Sequence, residues 1–308
     1  MGQYWNLFNV DKRQKGKKVR GKFDDFIFSG HDWLVKLLAR PEYSDAVPTL
    51  YSLIQTSNDR DQQGPLLNLP PELHAVIFAH LSSLDDAACL TVAHRLLAPE
   101  GYRRVAQLRR EECTHWGSWA GDRIITAGDY IDELPENLLT PDEEAEMVIE
   151  GARFYNFAYH HYEGHAPLAF KPFLRIPPDA VGDHLRARLL LDSTSPRYPL
   201  HGTWVLCNIS RKAYIRADAL TTLDWQINCQ IDGPFIRGTN AAVDLGTLVI
   251  MMTSCSDDLG DVGTAGPWAG DRLAVIGVEE LEGEGWEDVS VMGLGVVRDC
   301  IVANERVM

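Results

Sequence analysis

The chain has 308 residues, of which 45% are apolar and 24% charged, a balance typical of a soluble globular protein with one large domain or two ordinary ones. Its 29 Lys and Arg residues against 44 Asp and Glu residues give a formal net charge of −15. That charge disfavours general nucleic-acid binding, because phosphate contacts need a basic surface.

Strand and helix signals alternate in the opening part of the chain. Residues 4–10 are rich in Trp, Leu and Phe and predict a strand. Helical spacing follows over 30–39, which Pro41 ends, and a second short helix is predicted over 47–55. The polar loop 56–65 then marks a natural insertion boundary.

A plainly helical segment comes next. Apolar residues recur at three- and four-residue steps over 69–81 and predict one helix. A second helix is predicted over 85–97, and a third begins near Gly101. The chain then returns to β structure with a predicted strand over 124–127.

The middle of the chain contains a strong helix start. Thr140 is a suitable N-cap, Pro141 suits the first turn, and the acidic residues 142–144 face the positive end of the helix dipole. We expect this helix to run to about Tyr159. The proline-rich stretch 161–200 predicts a connection, and the remainder predicts strands near 204–209, 212–217, 246–253, 272–278 and 294–302.

Two phrases of the sequence occur twice, in the same order. Residues 5–13 are echoed by 204–212, and the Trp-Ala-Gly-Asp-Arg phrase of 119–123 recurs at 268–272. We interpret them as two divergent copies of one β-rich module, the alternative being chance together with similar strand-opening chemistry. The phrases lie further apart in the first copy, which therefore carries a helical insert.

The predicted fold is α+β, with two divergent β-rich repeat modules and a helical insert in the first. The predicted parts are the first module (1–65 and 111–160), the insert (66–110), the connection (161–200) and the second module (201–308).

The helical insert resembles an F-box. The segment 69–73, Leu-Pro-Pro-Glu-Leu, matches the opening of that family's pattern, and Ile77, Phe78 and Leu81 match its apolar positions. The segment 96–99 departs from the pattern, because it replaces the usual Trp-containing stretch. The whole chain is also similar to uncharacterised fungal proteins that begin Met-Gly-x-Tyr-Trp and carry Trp-x-Gly-Asp-Arg phrases.

The F-box resemblance implies a substrate-recognising adaptor of a cullin-type ubiquitin ligase. Its partners would be a Skp-type adaptor protein and an unknown target protein, the latter held by the β-rich modules, with Trp119 and Trp268 shaping a pocket. The implied partner-binding residues are Leu69, Pro70, Glu72, Leu73, Ile77 and Leu81. The alternative is an ordinary helical hairpin whose apolar stripe packs on the chain's own β module.

An enzyme or small-molecule-binding protein, with a pocket between the two modules, is the alternative function. In such a pocket an Asp could act as a general base and an Arg could clamp an anion. The catalytic candidates are Asp122, Arg123, Asp271 and Arg272. A structural role for both phrases is favoured, since each copy needs the same turn. A purely structural interaction protein is a third possibility.

A cluster of ionisable residues ends the predicted long helix. His161, Glu163 and His165 are weak candidates for metal ligands, because imidazole and carboxylate groups bind zinc and iron. Gly164 would interrupt the helix, and the order His-Glu-x-x-His is absent. A solvent-facing helix end is therefore the favoured interpretation, and we expect neither a metal nor a cofactor.

Cysteine use and the apolar runs predict the location. The six cysteines are scattered without a Cys-x-x-Cys pair, which indicates free thiols in a reducing compartment. The run 245–252 is too short to span a membrane, and the N-terminus turns polar too early for a signal peptide. We expect a cytoplasmic or nuclear protein without membrane contact.

Overall fold

The chain divides into two compact units. The computed structural model describes residues 3–16, 23, 30–42, 64–112, 118–136, 138–164, 177–200, 202–224, 226, 228–238, 243–257 and 265–305. We call Met1–Arg40, Ser118–Ala166 and Tyr198–Met308 the sheet unit, and Pro41–Gly117 with Pro167–Arg197 the helical unit. The helix predicted over 47–55 lies outside the described residues.

A mixed sheet of nine strands organises the sheet unit, so the predicted α+β class is confirmed. The strands of the described residues are β1 (Trp5–Asn9), β2 (Gln14–Lys15), β3 (Asp122–Gly128), β4 (Glu163–Gly164), β5 (Trp204–Asn208), β6 (Ala213–Arg216), β7 (Gln230–Asp232), β8 (Phe235–Arg237), β9 (Ser254–Cys255), β10 (Arg272–Gly277) and β11 (Glu287–Asp288). The sheet order is β11-β6-β5-β10-β3-β1-β2-β4, with β9 beside β3, while β7 and β8 form a separate hairpin.

Ten α-helices lie in the described part of the chain. They are α1 (Asp32–Leu38), α2 (Pro71–Ala79), α3 (Leu84–Ala93), α4 (Ala98–Glu112), α5 (Pro141–Ile149), α6 (Phe154–His161), α7 (Val181–Thr194), α8 (Ala217–Leu220), α9 (Leu245–Thr253) and α10 (Ser290–Glu305). Helices α2, α3, α4 and α7 belong to the helical unit, and the others belong to the sheet unit. None of the described helices is long and apolar enough to cross a membrane.

Both faces of the sheet are covered near its centre, and every residue of β1 is buried. Successive residues of a strand point to opposite faces, so Leu7 and Phe8 enter different apolar clusters. Leu7 belongs to the cluster that contains α1 and α9. Phe8 packs edge-on against Phe154 of α6, with ring centroids 5.7 Å apart. Three of the five residues of β1 are apolar, as the cover on both faces favours, and the other two are the buried Asn6 and Asn9.

The helical unit has its own apolar core. Val92 of α3, Tyr102 of α4 and Leu190 of α7 are buried together. The Tyr102 hydroxyl donates a hydrogen bond to the carbonyl oxygen of Ser193 at 3.1 Å, so a buried polar tip is satisfied. These contacts join the α2–α4 segment to a helix from a distant part of the chain.

Helix α7 was not predicted, since its residues fall within the expected proline-rich connection 161–200. Its 14 residues bury polar side chains, Asp183 and Arg186, beside the apolar Leu190. This mixture gives no apolar stripe from which a helix could be predicted. The helical unit is consequently larger than the predicted insert 66–110.

The strand predicted over 246–253 is wrong, because these residues form α9 and all of them are buried. A short apolar run fits a buried strand or a buried helix equally well by its spacing. The Asp244 carboxylate accepts the backbone N–H of Thr247 at 2.7 Å, and this cap begins the helix. The strand predicted over 294–302 is also wrong, since those residues lie in α10.

The long helix predicted from Thr140 to Tyr159 begins where expected but is interrupted. The Thr140 side chain and Glu143 form a reciprocal capping box at the start of α5. Gly151 has a φ of +62°, a left-handed conformation that ends a helix and that glycine adopts without strain. The chain then begins again as α6.

Candidate functional site

The segment that resembles an F-box opens with a proline-rich entry into α2. Pro65–Asn68 form a short 3₁₀ turn, and Pro71 occupies the first turn of α2, where its missing N–H costs no helical hydrogen bond. The buried His74 ring donates from Nε2 to the carbonyl oxygen of Leu66 at 2.8 Å. This bond fixes the entry segment to the first turn of the helix.

Helix α2 has one buried face and one exposed apolar face. His74 and Phe78, four residues apart, are buried. Leu73 and Val76 are exposed over 46% and 51% of their surface, and Pro70 beside them is also exposed. We call Pro70, Leu73 and Val76 the α2 face. This surface is apolar, and the buried side chains on the opposite side of α2 hold the helix in place.

Close packing against α4 holds the buried side of α2. An added Cβ at Gly101 would lie 2.8 Å from Cζ of Phe78 and would also overlap Thr91. Only a glycine therefore permits this approach of α4 to the ring. Arg104 of α4 donates from Nε and Nη2 to the carbonyl oxygen of Leu81, at 2.9 and 2.8 Å, and so fixes the turn after α2.

The six predicted partner-binding residues separate into two groups. Pro70, Glu72 and Leu73 are exposed, whereas Leu69, Ile77 and Leu81 are half-buried. Leu81 packs against the apolar core of the helical unit itself. Val76 was not among the predicted residues, although its position three after Leu73 places both on one side of the helix.

The candidate carboxylates Asp122 and Asp271 are both held by equivalent neighbours. Asn9 donates from Nδ2 to Asp122 at 2.8 Å, and Asn208 donates from Nδ2 to Asp271 at 2.7 Å. Asp271 also accepts Nε–H of Arg211 at 2.7 Å. Both carboxylates are therefore held by side chains of the sheet unit itself.

The candidate arginines are also paired. Arg123 donates from Nε to Asp11 at 2.9 Å, and its terminal nitrogens donate to Glu143 at 3.2 Å. Arg272 donates from Nη1 to the same Asp11 carboxylate at 2.9 Å. Burial alone would raise the pKa of Asp11, but the hydrogen bonds from Arg123 and the charges of both arginines hold it below its ordinary value. All four candidate catalytic residues thus bond to neighbours within the sheet unit, and the two arginines share Asp11.

The pocket predicted from the two repeated tryptophans is not borne out by their burial. Trp119 has an exposed fraction of 0% and Trp268 of 2%, and both lie in the main core of the sheet unit. The Trp119 indole donates from Nε1 to Gln14 at 2.7 Å, so its polar atom is satisfied internally. The side chains fill the core instead of lining an opening.

The histidine cluster is likewise structural where the chain is described. His161 Nε2 lies 2.7 Å from a Glu150 carboxylate oxygen, and the ring stacks on Phe157. Glu163 is exposed on β4, and His165 lies outside the described residues. Among the residues that the structure describes, no group of three or more His, Cys, Asp or Glu side chains could hold a metal ion.

Comparison with known protein families, curated proteins and solved structures finds no match for this chain. In the described part of the chain, the α2 face is an exposed apolar surface, whereas Asp122, Arg123, Asp271 and Arg272 bond to neighbours within the sheet unit.

Proposed function

We propose that this protein is an F-box-type adaptor that links a Skp-type protein of a cullin ubiquitin ligase to a target protein in the cytoplasm or nucleus. The observation that carries the proposal is the α2 face, where Leu73 and Val76 are exposed on a helix whose other side is anchored by Phe78. Apolar residues at three-residue spacing on one helix side are a usual means of helix recognition.

The division into two units supports the same proposal. The α2 face belongs to the helical unit, which has its own core, and the larger sheet unit is left to bind a target. An adaptor needs these two separate binding capacities. The enzyme alternative depends on Asp122, Arg123, Asp271 and Arg272, and these residues bond to neighbours within the sheet unit.

Calorimetric titration of the full chain with a fungal Skp-type protein tests the proposal. The chain should bind, and the double variant Leu73→Asp, Val76→Asp should lose the heat of binding, because two charges would be placed in an apolar contact. Both positions are exposed, so the variant should keep the unfolding temperature of the parent chain.

A matched control carries the same change of charge elsewhere in the helical unit. Val181 and Leu185 of α7 are exposed apolar residues, and Val181→Asp, Leu185→Asp should bind as the parent chain does. Absence of binding by the parent chain, or equal binding by both double variants, would contradict the proposal.

A further inference from the structure

The two strand pairs nearest the centre of the sheet have the same register. Strand β1 pairs antiparallel with β3, and β5 pairs antiparallel with β10. The matching partners are Trp5 with Gly128 and Asn9 with Ile124 in one pair, and Trp204 with Gly277 and Asn208 with Leu273 in the other. Each residue of β1 therefore has a counterpart in β5 at the same pairing position.

Strands β3 and β10 join these two pairs at the middle of the sheet. They run antiparallel, with Arg123 opposite Arg272. The two arginines occupy the same position of the repeated Trp-Ala-Gly-Asp-Arg phrase. An antiparallel pair in which a residue faces its own counterpart has a local two-fold axis at that point.

The backbone hydrogen bonds beside these arginines are related by the same two-fold axis. The backbone N–H of Gly121 donates to the carbonyl oxygen of Leu273 at 2.7 Å. Its counterpart, the N–H of Gly270, donates to the carbonyl oxygen of Ile124 at 2.9 Å. Exchanging the two copies converts one bond into the other, as a two-fold relationship requires.

Helices α1 and α9 are also related by the axis. The Trp119 N–H donates to the carbonyl oxygen of Leu37 near the end of α1, at 2.6 Å. The Trp268 N–H donates to the carbonyl oxygen of Met252 near the end of α9, at 2.8 Å. In each copy, the backbone N–H of the repeated tryptophan thus donates a hydrogen bond to the last turn of a helix.

Each of these helices continues onto a strand of the other copy. Ala39, which follows α1, pairs in parallel with Val275 of β10. Ser254, which follows α9, pairs in parallel with Thr126 of β3. The two copies therefore exchange chain segments across the axis, and neither half of the sheet is complete without the other.

We infer that the sheet unit is a fused dimer of one module, with its two-fold axis between Arg123 and Arg272. One carboxylate, Asp11, pairs with both arginines at the axis, and Glu143 is a second partner of Arg123. The backbone N–H of Arg123 donates to the Asp11 carboxylate at 2.8 Å, and the backbone N–H of Arg272 donates to Oγ of Ser210 at 3.0 Å. Ser210 is the counterpart of Asp11. Ser210 thus keeps the hydrogen bond from the arginine backbone N–H but lacks the negative charge of Asp11.

Substitutions that transfer the carboxylate from position 11 to its counterpart, position 210, test the inference. Two guanidinium groups side by side repel each other unless an anion lies between them, so Asp11→Ser should lower the thermal unfolding midpoint of the full chain. If position 210 is equivalent, the double variant Asp11→Ser, Ser210→Asp should regain at least half of that loss. Near-ultraviolet circular dichroism would follow the sheet unit through its buried tryptophans.

A neutral variant separates charge from packing. Asp11→Ser, Ser210→Asn has a side chain of similar size without charge and should remain at the midpoint of Asp11→Ser. A charged double variant no more stable than Asp11→Ser, or a neutral one that recovers equally, would overturn the inference. If Asp11→Ser does not fold, a folded charged double variant supports the inference, and an unfolded one contradicts it.

Discussion

Gly246 of α9 lies against His31 at the start of α1, so closely that an added Cβ at Gly246 would be 2.5 Å from Cβ of His31. The backbone N–H of His31 also donates to Asp244, the residue that caps α9, at 2.9 Å. The two helices therefore meet at their starts, where the Asp244 carboxylate accepts a backbone N–H from each of them.

Gly246→Ala should destabilise the protein although alanine favours helices. The added methyl group would overlap the backbone and Cβ of His31, which cannot move as a flexible side chain could, and overpacking of this kind costs about 1–3 kcal/mol. Urea unfolding would measure the change in free energy. Gly295→Ala on α10 is the control, since nothing lies within 4 Å of its added Cβ and roughly 0.5–1 kcal/mol of stabilisation is expected. Equal effects at both glycines would contradict the close contact.

The ion pairs of Asp11 should make stability depend on pH in the acid range. The pKa of Asp11 is lower in the folded protein than its ordinary value of 3.8, so the folded state binds fewer protons than the unfolded state. The contribution of Asp11 is therefore present above that value and is lost as the pH falls through the folded-state pKa. Asp11→Asn should be less stable than the parent chain at about pH 7 and should approach it at about pH 2. Urea midpoints across this range would show it, and two parallel pH curves would contradict it.

Three buried cysteines should resist alkylation in the native protein. Burial raises the pKa of Cys207, Cys255 and Cys300 to about 11 each, so little reactive thiolate forms at about pH 8. Mass spectrometry after iodoacetamide treatment should find these thiols unlabelled until a denaturant is added. The half-buried Cys89 and Cys229 should react earlier and act as internal controls. Labelling of all five at one rate would contradict the described burial.

The cap of α5 should contribute measurably to stability. Thr140 accepts the N–H of Glu143 at 3.3 Å, and Glu143 accepts the N–H of Thr140 at 2.7 Å. Thr140→Ala should cost about 1 kcal/mol, because loss of the cap leaves the backbone N–H of Glu143 without its acceptor, whereas Thr140→Ser keeps the hydroxyl and should cost less. Chemical denaturation of both variants would check this order, and a reversed order would exclude the cap.

Local chemistry made some of these elements predictable from the sequence. The start of α5 could be predicted because its N-cap, proline and acidic first turn all act within a few residues. The helix α9 could not, because apolar spacing over 246–253 does not distinguish a buried helix from a buried strand. Helix α7 was missed for a different reason, since tertiary contacts rather than an apolar stripe stabilise it.

Only part of the candidate site could be predicted, because helical spacing shows which residues share a side of a helix but not whether that side is buried. Helical spacing placed Leu73, Ile77 and Leu81 on one stripe, but spacing does not reveal which side of the stripe the core occupies. Leu81 packs against the helical unit and Leu73 remains exposed. The roles of Asp122 and Arg123 depended on Asn9 and Asp11, which are distant in sequence, so their pairing could not be read from the repeated phrase alone.

Hydrogen–deuterium exchange of the full chain, with and without a saturating Skp-type protein, tests the proposed adaptor function most directly. We expect the Skp-type protein to slow exchange at the backbone amides of α2 and of the entry segment 64–70, while exchange in the sheet unit is unchanged. Unchanged exchange at α2, or protection confined to the sheet unit, would contradict the proposal that the α2 face is the docking surface.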